Sequence, residues 1–141
     1  MLARATMLGL AMAVSGHVSA SEALIYAAVY ECNSKSINLE MVQICSTQFP
    51  KLATRAADAY RMWLTRNSTK AAATENACEQ ELRAKATSDS KLEVDAVRKQ
   101  MNDLKKEIRS NFQVRVQVEG ASACDESLRQ LETGSGAMDL K

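Results

Sequence analysis

The stretch CSTQFPKLATRAADAYRMWLTRN, residues 45–67, constrains the fold more than any other part of this chain. It holds the only proline, Pro50, the only tryptophan, Trp63, and one of the four cysteines, Cys45. Proline lacks an amide hydrogen and disfavours helical geometry in the residue before it, here Phe49. It is well tolerated at the first position of a helix. The sequence therefore predicts that one helix ends near Phe49 and that the next begins at Pro50.

The helix that begins at Pro50 is expected to run to about Arg66 with one apolar face. The residues on that face recur at helical spacing and are Leu52, Ala56, Ala59, Tyr60, Trp63 and Leu64. Because its neighbours on this face are apolar, we interpret Trp63 as a core side chain that fills the corner made by Phe49 and Pro50. A second interpretation is a binding anchor, since tryptophan is enriched at the centres of protein interfaces.

The rest of the chain is also rich in helix-forming residues, and glycine and proline are scarce. The sequence therefore predicts an all-α fold, a small disulfide-stapled helical bundle of five to six helices. Polar and turn-forming residues separate the predicted helices. The predicted helices cover approximately residues 22–34, 38–49, 50–66, 69–86, 90–112 and 122–132.

The segment that starts at Ser90 has the most regular helical pattern. Ser90 and Glu93 have the spacing of a capping box, in which the two side chains satisfy free backbone amides at the helix start. An apolar seam follows at spacings of three and four residues, formed by Val94, Val97, Met101, Leu104, Ile108 and Phe112. Such a seam packs inside the bundle of its own chain or joins two copies of the chain, and we favour the first arrangement.

The sequence QVRVQVE, residues 113–119, alternates between apolar and polar residues as a β-strand does. In a strand, Val114, Val116 and Val118 would share one face. Isolated strands are marginally stable, and the sequence offers no second strand. We therefore predict an extended connector. The alternative is a partner edge, to which another protein adds a strand.

The two ends of the chain are expected to lie outside the helical domain. Residues 1–20 combine an early Arg4, a short apolar run and small residues before position 20, a pattern typical of a secretory signal peptide. The apolar run is shorter than the roughly 20 residues that a membrane anchor needs. Residues 21–133 would then form a single helical domain. Residues 134–141, which begin with Gly-Ser-Gly, are expected to form a disordered tail.

All four cysteines, Cys32, Cys45, Cys78 and Cys124, follow the predicted signal peptide. An even number of cysteines in an exported chain predicts two disulfides. Zinc sites need closely spaced cysteine or histidine ligands, so the wide spacing argues against a metal site. Four cysteines allow three pairings. We favour Cys32 with Cys45, across a hairpin turn, and Cys78 with Cys124.

The charge balance and the histidine content restrict the function. Removal of the signal peptide would take away Arg4, one of 18 basic residues, and His17, the only histidine, leaving 17 basic and 17 acidic residues. A balanced charge argues against nucleic acid and against an anionic membrane surface as partners. Without histidine, neither Ser-His-Asp nor Cys-His catalysis is possible. We therefore expect no catalytic residue, no metal, no cofactor and no enzymatic activity.

Two resemblances to exported bacterial proteins add to this reading. The pattern C-x3-F-P at 45–50, continued by A-x3-W-x2-R-N at 59–67, resembles a signature of small exported helical proteins of unknown function. That resemblance implies a shared architecture. A fainter similarity is to LprI-like exported proteins, some of which are linked to lysozyme inhibition. It is carried by Cys32, Glu40, Cys45 and the Ala-Ala-Asp stretch at 56–58.

Together these observations predict an exported, non-enzymatic interaction protein, periplasmic or secreted, that binds another envelope or secreted protein. One alternative is a self-associating structural or chaperone-like homo-oligomer, joined through the apolar seam. A lysozyme-inhibitor-like protein is another. A further alternative is a protein that holds a small apolar ligand between its helices. Met41, Met62 and Met101 would then line the site, since methionine side chains adapt to irregular ligands.

Overall fold

In the computed structural model, the described residues are 20–88, 91–136 and 138–140. The signal peptide expected at 1–20 lies outside this range except for Ala20. Ser90 of the expected capping box lies outside it as well. For these two features the sequence-based expectations stay predictions.

Four α-helices account for most of the described residues. They are α1 (Ala20–Gln48), α2 (Ala53–Ser88), α3 (Lys91–Glu119) and α4 (Ala121–Thr133), and a short 3-10 turn at Pro50–Leu52 joins the first two. No strand occurs among the described residues. The all-α prediction is therefore confirmed, whereas the predicted number of five to six helices is wrong.

The break at Pro50 is confirmed. Helix α1 ends at Gln48, and Phe49 leaves helical geometry with φ −131° and ψ 83°. The amide of Phe49 still donates to the Cys45 carbonyl at 2.9 Å, which satisfies one carbonyl of the last helical turn. Pro50 then occupies the first position of the 3-10 turn, where its missing amide hydrogen costs nothing.

Two other predicted breaks do not separate helices. The polar residues after Asn33 stay helical, and only Asn33 departs, with φ −134° and ψ 19°, so α1 is kinked rather than divided. The Asn33 side chain donates to the Val29 carbonyl at 2.9 Å and satisfies an acceptor beside the kink. Asn67 lies inside α2, where its buried side chain donates to the Trp63 carbonyl at 3.1 Å. At Asn67, tertiary burial overrides the weak helix propensity of the residue.

The interpretation of residues 113–119 as an extended connector or strand edge is wrong. These residues form the last turns of α3, in which each backbone amide finds its acceptor within the same helix. A strand there would need a partner that the described chain does not provide. At helical spacing the three valines separate: Val116 is 4% exposed and lies in the core, whereas Val114 and Val118 face outward, Val118 being 80% exposed.

Helices α1 and α2 run in opposite directions, and the bundle buries a small core. Cys32 of α1 lies beside Cys78 of α2, while the turn at Phe49 joins the other ends of these two helices. Trp63 is fully buried at the centre, as the core interpretation requires. The cluster around it consists of Met41, Val42, Ala56, Ala59, Ala71, Leu128, Leu131 and Leu140.

Two disulfides staple the bundle, as predicted, but the favoured pairing is wrong. Cys32 bonds to Cys78, with 6.0 Å between their Cα atoms, and Cys45 bonds to Cys124, with 5.7 Å. The expected bridge between Cys32 and Cys45 assumed a hairpin turn between them. Both residues instead lie on α1, where 13 positions span about 20 Å. A disulfide needs Cα atoms closer than about 7 Å, so each cysteine pairs across helices.

Candidate functional site

A cavity of about 710 Å³ lies between α1, α3 and the C-terminal residues of the described chain. Its walls on the two helices are mainly apolar. The apolar side chains of these walls include Ala27, Ile37, Met41, Ile44, Ile108 and Phe112. The cavity is open to solvent at its edge, where Ala27 is exposed.

The helical periodicity of α1 and α3 explains why these side chains converge. Ile37, Met41 and Ile44 are spaced by four and three residues, which places them on one face of α1. Ile108 and Phe112 belong to the apolar seam predicted for α3 and face the same space. Ala27, which precedes the kink at Asn33, also borders the cavity. Of the three methionines proposed to contact a ligand, only Met41 lines this cavity.

Charged side chains of both signs stand around the cavity. Lys105 and Arg109 lie one turn apart on α3, and Glu31 and Glu40 lie on the α1 side. Arg109 Nε lies 3.9 Å from Glu40 Oε2, a solvent-exposed pair worth less than about 1 kcal/mol. The cavity therefore combines an apolar interior with a charged rim, and neither sign of charge dominates.

A buried polar network closes one side of the cavity. The Tyr30 hydroxyl donates to the Met138 carbonyl at 2.8 Å and accepts a hydrogen bond from Asn38 Nδ2 at 2.9 Å. Burial raises the pKa of Tyr30 to about 12, although the Asn38 hydrogen bond acts in the opposite direction. Tyr30 therefore stays neutral at physiological pH and keeps the proton that it donates to Met138.

Residues 138–140, called here the C-terminal segment, are anchored to α2. Trp63 Nε1 donates to the Met138 carbonyl at 2.7 Å. The Leu140 amide donates to Asn67 Oδ1 at 2.9 Å, and Asn67 Nδ2 donates to Asp139 Oδ1 at 2.9 Å. The disordered tail expected at 134–141 is thus wrong for these residues. Side chains distant in sequence satisfy their backbone groups, which local composition does not reveal.

Two basic side chains of α2 complete the anchoring. Arg66 Nε lies 3.1 Å from Asp139 Oδ2, and its Nη1 donates to the Glu132 carbonyl near the end of α4 at 3.0 Å. Lys70 Nζ donates to the Leu140 carbonyl at 3.2 Å. The five residues that hold the C-terminal segment are called here the clamp: Tyr30, Trp63, Arg66, Asn67 and Lys70.

The sequence patterns did not predict the clamp as a group. They placed Trp63 in the core, with a binding anchor as the alternative, and gave Arg66 and Asn67 no role beyond the resemblance. Their spacing of three and four residues from Trp63 places all three on one face of α2. This shared face was the available signal, because a tryptophan, an arginine and an asparagine so placed can bind the same segment.

Acidification is expected to release the C-terminal segment. Burial raises the pKa of Asp139, but hydrogen bonds from Arg66 and Asn67 outweigh burial and hold the pKa below its ordinary value of 3.8. A carboxyl with a lowered pKa stabilises docking above its ordinary pKa and loses that contribution as pH falls through the lowered one. The fluorescence of Trp63 should stay constant from about pH 7 to about pH 5 and change only below the ordinary aspartate range. Asp139→Asn should remove this acid step, and a midpoint near neutral pH would contradict the prediction.

The other residues singled out in the sequence lie outside both the cavity and the clamp. Phe49 packs beside the Cys45–Cys124 bridge, close to Val116. Pro50 is exposed, and Val114 and Val118 do not join the cavity or the clamp. The described residues contain no free cysteine and no cluster of acidic, cysteine or histidine side chains able to hold a metal ion. None of the described helices combines the length and apolar character needed to cross a membrane.

Comparison with known proteins finds no matching protein family, no similar curated protein and no similar solved structure. The function must therefore be argued from the cavity and the clamp themselves.

Proposed function

We propose that this protein is an exported, non-enzymatic binding protein that holds a small amphiphilic molecule in the cavity between α1 and α3. The observation that carries this proposal is the cavity itself, with about 710 Å³ and mainly apolar walls. Small-molecule sites typically occupy about 300–1,000 Å³ and are lined by apolar side chains with a few polar groups.

The walls and the rim favour different parts of such a molecule. Ile37, Ile44 and Ile108 offer apolar surface to a hydrocarbon body, and Met41 adapts to its shape. Each methylene group that leaves water for this environment contributes about 0.8 kcal/mol. The charged rim around Lys105 and Glu40 is suited to a polar head that stays in contact with water.

Export is part of the proposal. Two disulfides fit an oxidising compartment such as the periplasm or the extracellular space. The protein partner expected from the sequence stays a prediction. The strand edge that suggested how this partner would bind is not formed, because residues 113–119 are helical. Self-association through the α3 seam loses support, since Ile108 and Phe112 face the cavity of their own chain.

The proposal is tested by binding of a series of straight-chain fatty alcohols, measured by displacement of an environment-sensitive fluorescent probe. We expect the dissociation constant to fall about fourfold with each added methylene until the chain fills the cavity. A flat dependence on chain length, or no binding at any length, would contradict the proposal.

A matched pair of variants locates the binding. Ala27 is exposed at the cavity edge and lines it, whereas the adjacent Ala28 is also exposed and does not line it. Ala27→Phe should fill part of the cavity and weaken binding by about tenfold or more, a loss of about 1.4 kcal/mol. Ala28→Phe should leave binding unchanged. Equal effects of both substitutions would place the ligand elsewhere.

A further inference from the structure

The clamp contacts the C-terminal segment mainly through backbone groups. The Met138 carbonyl accepts hydrogen bonds from both Tyr30 and Trp63. The amide of Leu140 bonds to Asn67 and its carbonyl bonds to Lys70. Hydrogen bonds to main-chain groups give affinity for a peptide with little dependence on its sequence.

One side chain of the segment, that of Asp139, makes specific contacts with the clamp. The Asp139 carboxylate accepts from Asn67 Nδ2 and from Arg66, and Lys70 adds a second positive charge nearby. Asn67 is only 2% exposed, so its amide is held in a fixed position by the surrounding helix and by its own bond to the Trp63 carbonyl. Leu140 is buried in the core cluster beside this aspartate. The clamp is thus complementary to an aspartate followed by an apolar residue.

Two glycines with positive φ precede the segment and allow the chain to turn back towards the end of α4. Gly134 adopts φ +69° after the last turn of α4 and caps that helix. A Cβ atom at Gly134 would lie 2.5 Å from Asp139 Oδ2, so a larger residue there would displace this carboxylate and would also be strained at the positive φ. Gly136 also has a positive φ of +97°. The segment therefore reaches the clamp over a short connection and is present there at high effective concentration.

We propose that the clamp is a peptide-recognition site, and that the chain's own C-terminal segment occupies it until a partner protein's segment takes its place. The partner would present a peptide in the same turned conformation, with an apolar residue, an aspartate and a second apolar residue in succession. The charge of Arg66 and Lys70 complements that aspartate. This inference goes beyond the proposed function, because it needs no ligand in the cavity.

The test uses the full oxidised chain and a labelled peptide, GSGAMDLK, which has the sequence of residues 134–141. Asp139→Lys places a positive charge against Arg66 and Lys70 and should free the clamp of its own segment. Fluorescence anisotropy should then show the peptide binding to the Asp139→Lys chain at least about tenfold more tightly than to the wild type, whose own segment competes. A peptide with lysine in place of its aspartate should bind neither chain.

Asp125→Lys is the matched control. Asp125 also pairs with an arginine of α2, Arg55, at 2.6 Å, but it does not contact the clamp. This variant should bind the peptide as weakly as the wild type. The emission of Trp63, the only tryptophan, should change in Asp139→Lys and return toward the wild-type value when the peptide binds. Equal peptide binding by wild type and Asp139→Lys, no binding by either, or unchanged Trp63 emission in Asp139→Lys would overturn the proposal.

Discussion

Replacing Trp63 with alanine is expected to lower the free energy of unfolding by about 3–5 kcal/mol. Trp63 is the largest fully buried side chain, and it packs in the cluster that joins α1, α2 and α4. Its removal leaves a cavity that small neighbours such as Ala56 and Ala59 cannot fill. The substitution also removes the indole donor from the Met138 carbonyl. Urea unfolding followed by far-ultraviolet circular dichroism measures the loss.

Met62 provides the control for this prediction. It precedes Trp63 on α2 but is 49% exposed, so Met62→Ala should change the free energy of unfolding by less than about 0.5 kcal/mol. A domain of this size has only about 5–15 kcal/mol of stability, so the Trp63 variant should be partly unfolded well below the wild-type midpoint. Equal midpoints for the two variants would show that Trp63 does not support the core.

Removal of the Cys45–Cys124 bridge by the double substitution Cys45→Ala and Cys124→Ala should cost about 4–5 kcal/mol. The bridge joins residues 79 positions apart, and its loss restores much conformational freedom to the unfolded chain. Both cysteines are fully buried beside Ile44 and Val116, so the folded state also loses packing contacts. The same urea experiment on the oxidised protein measures the effect.

The other bridge is the comparison. Cys32 and Cys78 are 46 positions apart, and the chain-entropy difference between the two bridges is only about 0.5 kcal/mol. Cys32 and Cys78 are half-buried, so their replacement by alanine should remove fewer contacts and cost less. The half-exposed bridge should also be reduced first by a mild thiol. The prediction would be contradicted if removal of Cys32–Cys78 lowered the free energy of unfolding more, or if Cys45–Cys124 were reduced first.

The clamp gives the Trp-x2-Arg-Asn pattern at 63–67 a physical role in this chain. Trp63, Arg66 and Asn67 each bond to residues 138–140, more than 70 positions away in sequence. The hydrogen bonds extend Trp63 beyond its core role, since its ring is fully buried while its Nε1 donates to the C-terminal segment. The same residue thus links the stability of the bundle to the occupation of the clamp.

Local signals in the sequence were sufficient for several features. Helix-forming composition predicted an all-α fold, because propensity summed over long stretches is informative even when single residues are not. Pro50 marked the end of α1, since its missing amide hydrogen and its ring act on the backbone directly. An even number of cysteines predicted two disulfides. The apolar face around Trp63 predicted its burial, as helical spacing alone brings those residues together.

Other features depended on contacts between distant residues, and for these the local sequence patterns gave wrong predictions. Polar residues near Asn33 and Asn67 suggested breaks, but α1 continues through a kink at Asn33, and the buried Asn67 lies inside α2. The alternating residues 113–119 suggested a strand, but Val116 gains more by packing in the helical core than an unpaired strand could offer.

The sequence by itself determined the class of fold, the break at Pro50, the number of disulfides and the core position of Trp63. Only the tertiary structure decided the pairing of the cysteines, the cavity between α1 and α3, and the binding of residues 138–140 by the clamp. The physical reason is the distance along the sequence over which each interaction acts. Propensity, proline geometry and helical spacing act over a few residues, whereas a disulfide, a cavity or a clamp exists only after helices far apart in sequence have packed together.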